Sequence, residues 1–364
     1  MLDIYKLDTK KGIEKYKSLL FAFDIVDPYF LIDYINVFDN GYENLRCFLY
    51  KNNETGAVIF MLGYLNPIVI DNKETGNFDF ITPRGYTGPS YVNEVLEADI
   101  LDFWKSVDYW YKKNKVVCEF VRFNLSNNHL HYSGNCLPTM LNIKGKILEE
   151  EAQWNSFNRK VRKNVNKAKR ENLYSHISYE KITDNEIVAF FEIYTETMVR
   201  TKAKNVFFYS INKFKKFIKN NRQNCAICTI FFNEIPISSE LILISKDSIY
   251  SFLGGTNDSF FEKRPNDFLK VELINWARKN NLKFYILGGG YGFEDGIFNY
   301  KKTFFPNDVV NYYTGRKIVD EKIYSELLEK TNKYRVSIGL LELDIEDESF
   351  FPLYRLIEGN PVSI

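Results

Sequence analysis

Apolar and polar positions change period along this chain in the same order twice. Between Ala57 and Asn124 a strand, a turn, a second strand and a Gly/Pro loop lead into Ile100, Phe103, Trp104, Val107 and Tyr111. The helical spacing of these five residues predicts an amphipathic helix. The β-branched run from Val116 to Val121 then predicts a strand. Between Cys225 and Leu287 the order recurs, with strands over Cys225 to Phe232, Ile235 to Ile244 and Ile249 to Leu253 and turns at Asn233-Glu234 and Lys246-Asp247. A helix capped by Asn266, with Asp267 in its first turn and a buried stripe of Leu269, Leu273, Trp276 and Ala277, leads back into a strand at Phe284 to Leu287. A strand, a crossover helix and a returning strand require a parallel pair joined right-handedly, so each copy is expected to be a mixed sheet.

Further helices are expected at Asp184 to Arg200, Ile211 to Asn220 and Glu321 to Lys333, and a strongly basic one at Arg159 to Arg170. A chain of 364 residues exceeds the usual size of one domain. The boundary is expected near Asn142 to Ser156, giving a first domain over 1–150, a second over 151–335 and a peripheral segment over 336–364. In that segment Glu342, Asp344, Glu346, Asp347 and Glu348 read as a solvated acidic surface.

The hydrophobic share of 45% and charged share of 26% are those of an ordinary globular protein, so extensive disorder is excluded. A net charge of +1 provides no global attraction to nucleic acid or anionic lipid, and any anionic partner must meet a local patch. Five scattered cysteines without a second pair at zinc-ligand spacing fit a reduced, cytoplasmic protein with no metal centre. The start of the chain lacks a signal pattern, and the apolar run from Ala57 to Ile70 is short and interrupted by Asn66-Pro67, so no membrane span is expected.

Several segments, taken in order, resemble one family. They are Thr82-Pro83-Arg84-Gly85-Tyr86-Thr87-Gly88-Pro89, the stretch from Phe191 to Ala203 with Phe207-Phe208, the strand ending in Gly254-Gly255, Leu287-Gly288-Gly289-Gly290, and Tyr300-Lys301. Their order over nearly the whole chain resembles the Fem-type peptidoglycan aminoacyltransferases. That resemblance implies an α/β fold of two tandem acyltransferase (GNAT-like) domains packed side by side, here without the long helical arm of some relatives. Arg84 departs from the family by replacing an aromatic residue, and Phe305-Pro306 stands where an aromatic-Gly pattern is usual.

Acyl transfer from an activated ester or thioester to an amine needs a neutral amine, a clamp for the carbonyl and stabilisation of the tetrahedral oxyanion, but no covalent enzyme intermediate. The three histidines, His129, His131 and His176, all precede the second sheet expected from Cys225 onward, which leaves no histidine base for that unit. Glu240 and Asp295 are available carboxylates without an assigned role. The resemblance implies that Lys301 is the catalytic cation beside the reacting carbonyl, against the plain alternative of a solvated lysine. It also implies substrate-binding groups at Thr197, Arg200, Arg84 and Tyr86, and close backbone approach to substrate at Gly254, Gly255, Gly289 and Gly290. Arg200 reads equally as a helix C-terminal arginine meeting the dipole and the glycines as turn or bulge positions, whereas Tyr86 reads more readily as a packed loop aromatic than as a contact.

Acyl-CoA users of this fold cradle pyrophosphate with a glycine-rich turn before the crossover helix. The connection Thr256 to Pro265 has no Gly-x-Gly and carries Phe260-Phe261 instead. The basic helix resembles the family's Arg-x-x-Ile-Arg-Lys-Ala element, so Arg159, Arg162, Lys163, Lys167 and Arg170 are candidate contacts to tRNA or phosphate, or else a solvated surface. The expected function is transfer of an aminoacyl group from charged tRNA to an amine of a nucleotide- or lipid-linked cell-wall precursor, in the cytoplasm or peripherally at the inner membrane face. No tightly bound cofactor is expected. The alternatives are an acyl-CoA-dependent N-acyltransferase acting on an amino sugar or lipid, and a binding protein that kept the fold without turnover.

Overall fold

Both expected crossovers are present as parallel strand pairs. The computed structural model describes residues 1–347 and 349–358. In chain order the elements are β1 (Leu2–Lys6), α1 (Lys10–Ala22), α2 (Ile32–Phe38), β2 (Leu45–Lys51), β3 (Val58–Ile70), β4 (Lys73–Ile81), β5 (Ser90–Val92), α3 (Glu97–Lys113), β6 (Val116–Arg122), β7 (Asn135–Lys146), α4 (Glu150–Ser156), α5 (Arg159–Arg170) and β8 (Tyr174–Tyr179). They continue with α6 (Asp184–Arg200), α7 (Ile211–Asn220), β9 (Cys225–Phe232), β10 (Ile235–Ile244), β11 (Ser248–Thr256), α8 (Pro265–Lys279), β12 (Phe284–Gly288), α9 (Gly296–Lys302), β13 (Val309–Ile318) and α10 (Glu321–Ser337). Among the described residues no helix exceeds 17 residues, so there is no helical arm, and none is long and apolar enough to cross a membrane.

The chain divides into two units: Met1–Ile25, Phe38–Thr139 and Tyr312 onward form the first, and Val26–Val37 with Met140–Asn311 form the second. This differs from the expected division into 1–150, 151–335 and 336–364. The divide falls inside β7 and inside β13, and the chain from Tyr312 returns to the first unit.

In the first unit the strand order is β1-β2-β3-β4-β6-β13, with β5 on β3. Neighbours are antiparallel except β4 and β6, the parallel pair that the crossover helix α3 demands. All five predicted stripe residues of α3 are buried, and they pack on Phe48, Tyr50, Ile59, Met61 and Phe80. Each such side chain contributes about 1.5–3 kcal/mol of burial. The opposite face is covered by α10, whose Tyr324, Leu327 and Leu328 meet Ile68, Ile70, Val117 and Cys118. That contact is why α10 belongs to this unit and not behind the second sheet. β6 is buried at six of its seven positions because both its faces are covered.

The segment after α10 is not peripheral either. Leu353 and Tyr354 are buried in the same cluster, Arg335 donates to the carbonyls of Leu341 and Leu356, and Arg355 Nε lies 2.6 Å from Asp79. Glu342, Asp344 and Glu346 are exposed as expected, Asp347 is half-buried, and Glu348 lies outside the described residues. Pro67 does not interrupt β3. Its pairing with β2 ends at Tyr64, so the missing N–H at Pro67 costs no ladder bond on that side, and a register shift follows between Pro67 and Val69.

In the second unit the order is β7-β12-β11-β10-β9-β8, antiparallel throughout except for β11 with β12. The β9-β10 hairpin turns at Asn233-Glu234, both at positive φ (49° and 63°), as a two-residue turn requires. The helices α8 and α5 supply Leu269, Leu273, Ala277, Val161, Val165 and Ala168 to one core, while Trp276 is only half-buried. The start of α8 also differs from expectation. Arg264, in the left-handed conformation (φ 63°), occupies the cap and Pro265 is the first helical residue, so Asn266 lies inside the helix. The segment Val26–Val37 packs through Tyr29 against Tyr250 and through Tyr34 against Phe252.

Candidate functional site

The second unit's two parallel strands pair only where Ser248–Tyr250 meets Phe284–Ile286. Beyond Tyr250, β11 runs on to Thr256 without that partner, while β12 ends at Gly288, whose φ of +74° turns the chain away. The parting of the strands exposes backbone at their C-terminal ends. Lys301, near the end of α9, reaches this place, and its Nζ donates to the Gly289 carbonyl at 2.5 Å. Burial lowers the Lys301 pKa to about 8, reinforced by the charge of Lys270 and opposed by Glu240 and Asp295. Lys302, its neighbour, has no ion pair or side-chain hydrogen bond among the described residues.

The groups beneath Lys301 form a fully bonded network. Lys270 Nζ from α8 lies 2.5 Å from Glu240 Oε2 on β10 and donates to Ser251 Oγ on β11 (2.9 Å) and to Tyr285 Oη on β12 (3.2 Å). The Tyr285 hydroxyl in turn donates to Glu240 Oε1 at 3.0 Å. Both partners of the ion pair are buried, with side chains 8% and 5% exposed. Burial and the Glu240 charge push the Tyr285 phenol well above its ordinary pKa, so it remains a donor.

Asp295 is committed to holding α9 in place. Its Oδ1 accepts from Phe298 N at 2.8 Å and its Oδ2 from Tyr291 N at 2.6 Å, which lowers its pKa. Gly290 is required by that cap, since a Cβ there would sit 1.9 Å from Asp295 Oδ1. At Gly289 a Cβ would meet Met140 Sδ at 2.4 Å and the Leu141 carbonyl at 2.8 Å.

Thr197, Arg200, Gly254 and Gly255 come together around the end of β11. Thr197 Oγ1 accepts from Thr256 N at 3.1 Å, and Arg200 Nη2 donates to the Thr256 carbonyl at 3.1 Å. The Arg200 guanidinium also lies 4.8 Å from the Phe261 ring centroid and 3.9 Å from Asp258. Gly255 permits the close approach of α6, because a Cβ would fall 2.4 Å from Thr197 Oγ1 and 2.6 Å from the Ile193 carbonyl. At Gly254 the nearest atom would be the Ser239 carbonyl at 2.9 Å. Thr197, Arg200 and Gly255 thus join α6 to β11, while Gly254 packs against β10.

Arg84 and Tyr86 lie in the first unit, on a loop held by Asn128, whose Nδ2 donates to the carbonyls of Thr87 and Pro89. The Arg84 amide donates to Asp39 at 2.7 Å while its side chain is exposed. The Tyr86 ring packs edge to face on Tyr312 at 5.8 Å, and burial pushes its pKa up.

On α5, Val161, Val165 and Ala168 face the core, and Arg159, Lys163, Asn166 and Arg170 form one exposed stripe at helical spacing. Lys167 is half-buried. Arg162 is occupied structurally, donating to the carbonyls of Asn155 (3.1 Å) and Phe157 (2.6 Å) at the end of α4. Beside this helix, a pocket of about 450 Å³ is lined by Lys160, Asn164, Arg264, Asp267, Asn299 and Tyr300, among others. Asp267 stands in the first turn of α8, receives 3.0 Å donation from Asn164 Nδ2, and has its pKa raised by burial. The connection from β11 to α8 is a short 3-10 helix over Asp258–Lys263 and not a glycine turn.

Lys270, Ser251 and Tyr285 were not anticipated from sequence. The available signal was a lysine amid the apolar run Leu269-Lys270-Val271 and a glutamate amid Ser239-Glu240-Leu241, two opposite charges on neighbouring buried elements. The expectation that every histidine precedes the second sheet is corrected. His176 lies on β8, the edge strand of that sheet, where its Nε2 is 2.9 Å from Glu186. A short polar-rich strand beside a basic helix gave little sign of pairing.

Residues 155–302 match the acetyltransferase (GNAT) domain family. No curated protein matches the chain. Among solved structures the chain is similar to FemX, with a TM-score of 0.58 at 12% identity over 78% of this chain and 90% of that one. It is also similar to L-PGS from Bacillus licheniformis, with a TM-score of 0.56 at 12% identity over 90% of this chain and 97% of that one. At these identities the likeness is one of fold. The second unit carries an acyltransferase domain of GNAT type, and the fold is that of the Fem-type acyltransferases.

Proposed function

We propose that the protein is an N-acyltransferase that joins an aminoacyl group from charged tRNA to an amine of a nucleotide- or lipid-linked cell-wall precursor, with Lys301 as its catalytic cation. The observation that carries this is the Lys301 ammonium, drawn into a largely buried position at the parted ends of β11 and β12. A cation there, shielded from water, stabilises negative charge far better than one in solvent. The neutral amine attacks the ester carbonyl carbon and a C–N bond forms. The carbonyl oxygen becomes an oxyanion beside Lys301. Collapse breaks the bond to the ribose oxygen, which takes up the proton released by the amine. The exposed stripe of Arg159, Lys163 and Arg170 supports a polyanionic donor. Thr197, Arg200, Gly254, Gly255, Gly289 and Gly290 shape the substrate surface by fixing the strand ends, while Arg84 and Tyr86 present the loop of the first unit.

An acyl-CoA donor is the second reading, supported by the basic pocket at the start of α8. Against it, Asp267 already places a carboxylate at that helix N-terminus, and the preceding 3-10 helix offers no glycine cradle. The test is transfer of radiolabelled amino acid from a mixture of charged tRNAs to nucleotide-linked muropeptides, alongside thermal shift with CoA thioesters. Transfer that disappears in Lys301→Met and persists in Lys302→Met is the expected result. Stabilisation by CoA thioesters without tRNA-dependent transfer would move the assignment to the second reading.

A further inference from the structure

At the end of the second unit's strands opposite Lys301, a pocket of about 290 Å³ opens beside the turn between β10 and β11 and the start of β12. Six of its nine lining residues are Tyr179, Gln223, Asn224, Ser245, Trp276 and Asn280; the other three are aliphatic, and none is charged. Tyr179 and Trp276 are half-exposed and meet edge to face, with centroids 5.5 Å apart at 73°.

The hydrogen bonds fix what the pocket offers. Asn224 Nδ2 donates to the carbonyls of Val26 (2.9 Å) and Ile244 (3.3 Å), and Asn280 Nδ2 donates to the Trp276 carbonyl (2.8 Å). Turning either carboxamide over would set oxygen against oxygen, so both Oδ1 atoms are left as acceptors. The Gln223 side chain is exposed and makes no hydrogen bond among the described residues. The pocket therefore combines aromatic surface, acceptor oxygens and no formal charge. An anionic ligand would find no cation in its lining, and an ammonium would find no carboxylate. A pyranose ring matches on both counts: its C–H face packs on aromatic rings and its hydroxyls donate to carboxamide oxygens.

We propose that this pocket is a saccharide-binding subsite that takes a neutral hexopyranose unit. It does not depend on the transfer reaction assigned to Lys301. Tetramers of β-1,4-linked N-acetylglucosamine and of glucose, titrated into the full chain and followed by tryptophan fluorescence and calorimetry, test it. Saturable binding of either tetramer is expected, weakened at least about tenfold in Trp276→Leu and Asn280→Lys and unchanged in Lys301→Met. Asn280 is the exposed cap residue just after α8, where a lysine suits the helix dipole, so Asn280→Lys decides if Trp276→Leu fails to fold. Absence of saturable binding to both tetramers, or binding that survives Asn280→Lys intact, overturns the proposal. So does binding abolished by Lys301→Met, which would place the sugar at the transfer site.

Discussion

The Lys270 ammonium and the Glu240 carboxylate meet at 2.5 Å with both side chains almost wholly removed from solvent. Ser251 and Tyr285 complete the pair, so every strong donor and acceptor in it is bonded. Removing one partner leaves a buried, uncompensated charge. Lys270→Met is expected to destabilise the protein by about 3–5 kcal/mol, and the double variant with Glu240→Gln by clearly less. Urea unfolding of the two single variants and the double variant checks this. A loss in the double variant equal to the sum of the two single losses would mean that the pair is not coupled.

Lys301 makes the proposed reaction sensitive to alkali. Its pKa is lowered to about 8, so the ammonium that steadies the oxyanion is lost as pH rises through that value. Transfer should fall about tenfold per unit above pH 8. In Lys301→Arg the guanidinium keeps its charge, and this decline should vanish even if the rate is lower. The pH dependence of kcat/KM for the two proteins is the measurement.

Three arginines and lysines of α5 should act on binding and not on folding. Charge removal by Arg159→Gln, Lys163→Gln and Arg170→Gln should weaken charged-tRNA binding and reduce its salt slope by about one for each phosphate no longer neutralised. Arg162→Ala should behave differently, lowering the melting temperature because it frees the carbonyls at the end of α4. Filter binding across a salt series, with melting curves alongside, separates the two effects.

Asp27 should make stability fall with rising pH. Burial raises its pKa from 3.8 to about 7, although it accepts from Tyr29 N. The folded protein thus holds this proton more tightly than the unfolded chain. Its contribution is complete below about pH 3.8 and is lost as pH rises through about 7. Asp27→Asn should raise the melting temperature at pH 8 and flatten its dependence between pH 5 and pH 8. A steeper dependence in the variant would contradict the assignment.

Gly255→Ala should destabilise by about 1–3 kcal/mol, since its Cβ would press on Thr197 and the Ile193 carbonyl. Gly292, with open space at its Cβ position, serves as the control, and Gly292→Ala should be close to neutral. Chemical denaturation of both variants provides the comparison.

What could be read in advance followed from periodicity. The five buried residues of α3, the hairpins from Cys225 to Leu253 and the bounds of α5, α6 and α7 all agree with the apolar spacing, because local amphipathicity and turn chemistry decide them. Long-range choices were less accessible. Nothing local shows that α10 covers Val117 and Cys118, or that Val26–Val37 leaves its sequence neighbours for Tyr250 and Phe252. The site divides in the same way. Lys301 is proposed from a motif, whereas Lys270 and Glu240, thirty positions apart, reveal their partnership only when α8 lies across β10.

The return of β13 and α10 to the first unit has a consequence for the nascent protein. By the time residue 311 has left the ribosome, every segment of the second unit is available, yet the first still lacks the strand that flanks β6 and the helix that covers Ile68 and Val117. The half translated later can therefore close ahead of the half translated earlier. Until it is joined by its last elements, the leading half must wait with an open sheet edge and a bare apolar face, the condition in which chaperones find their clients.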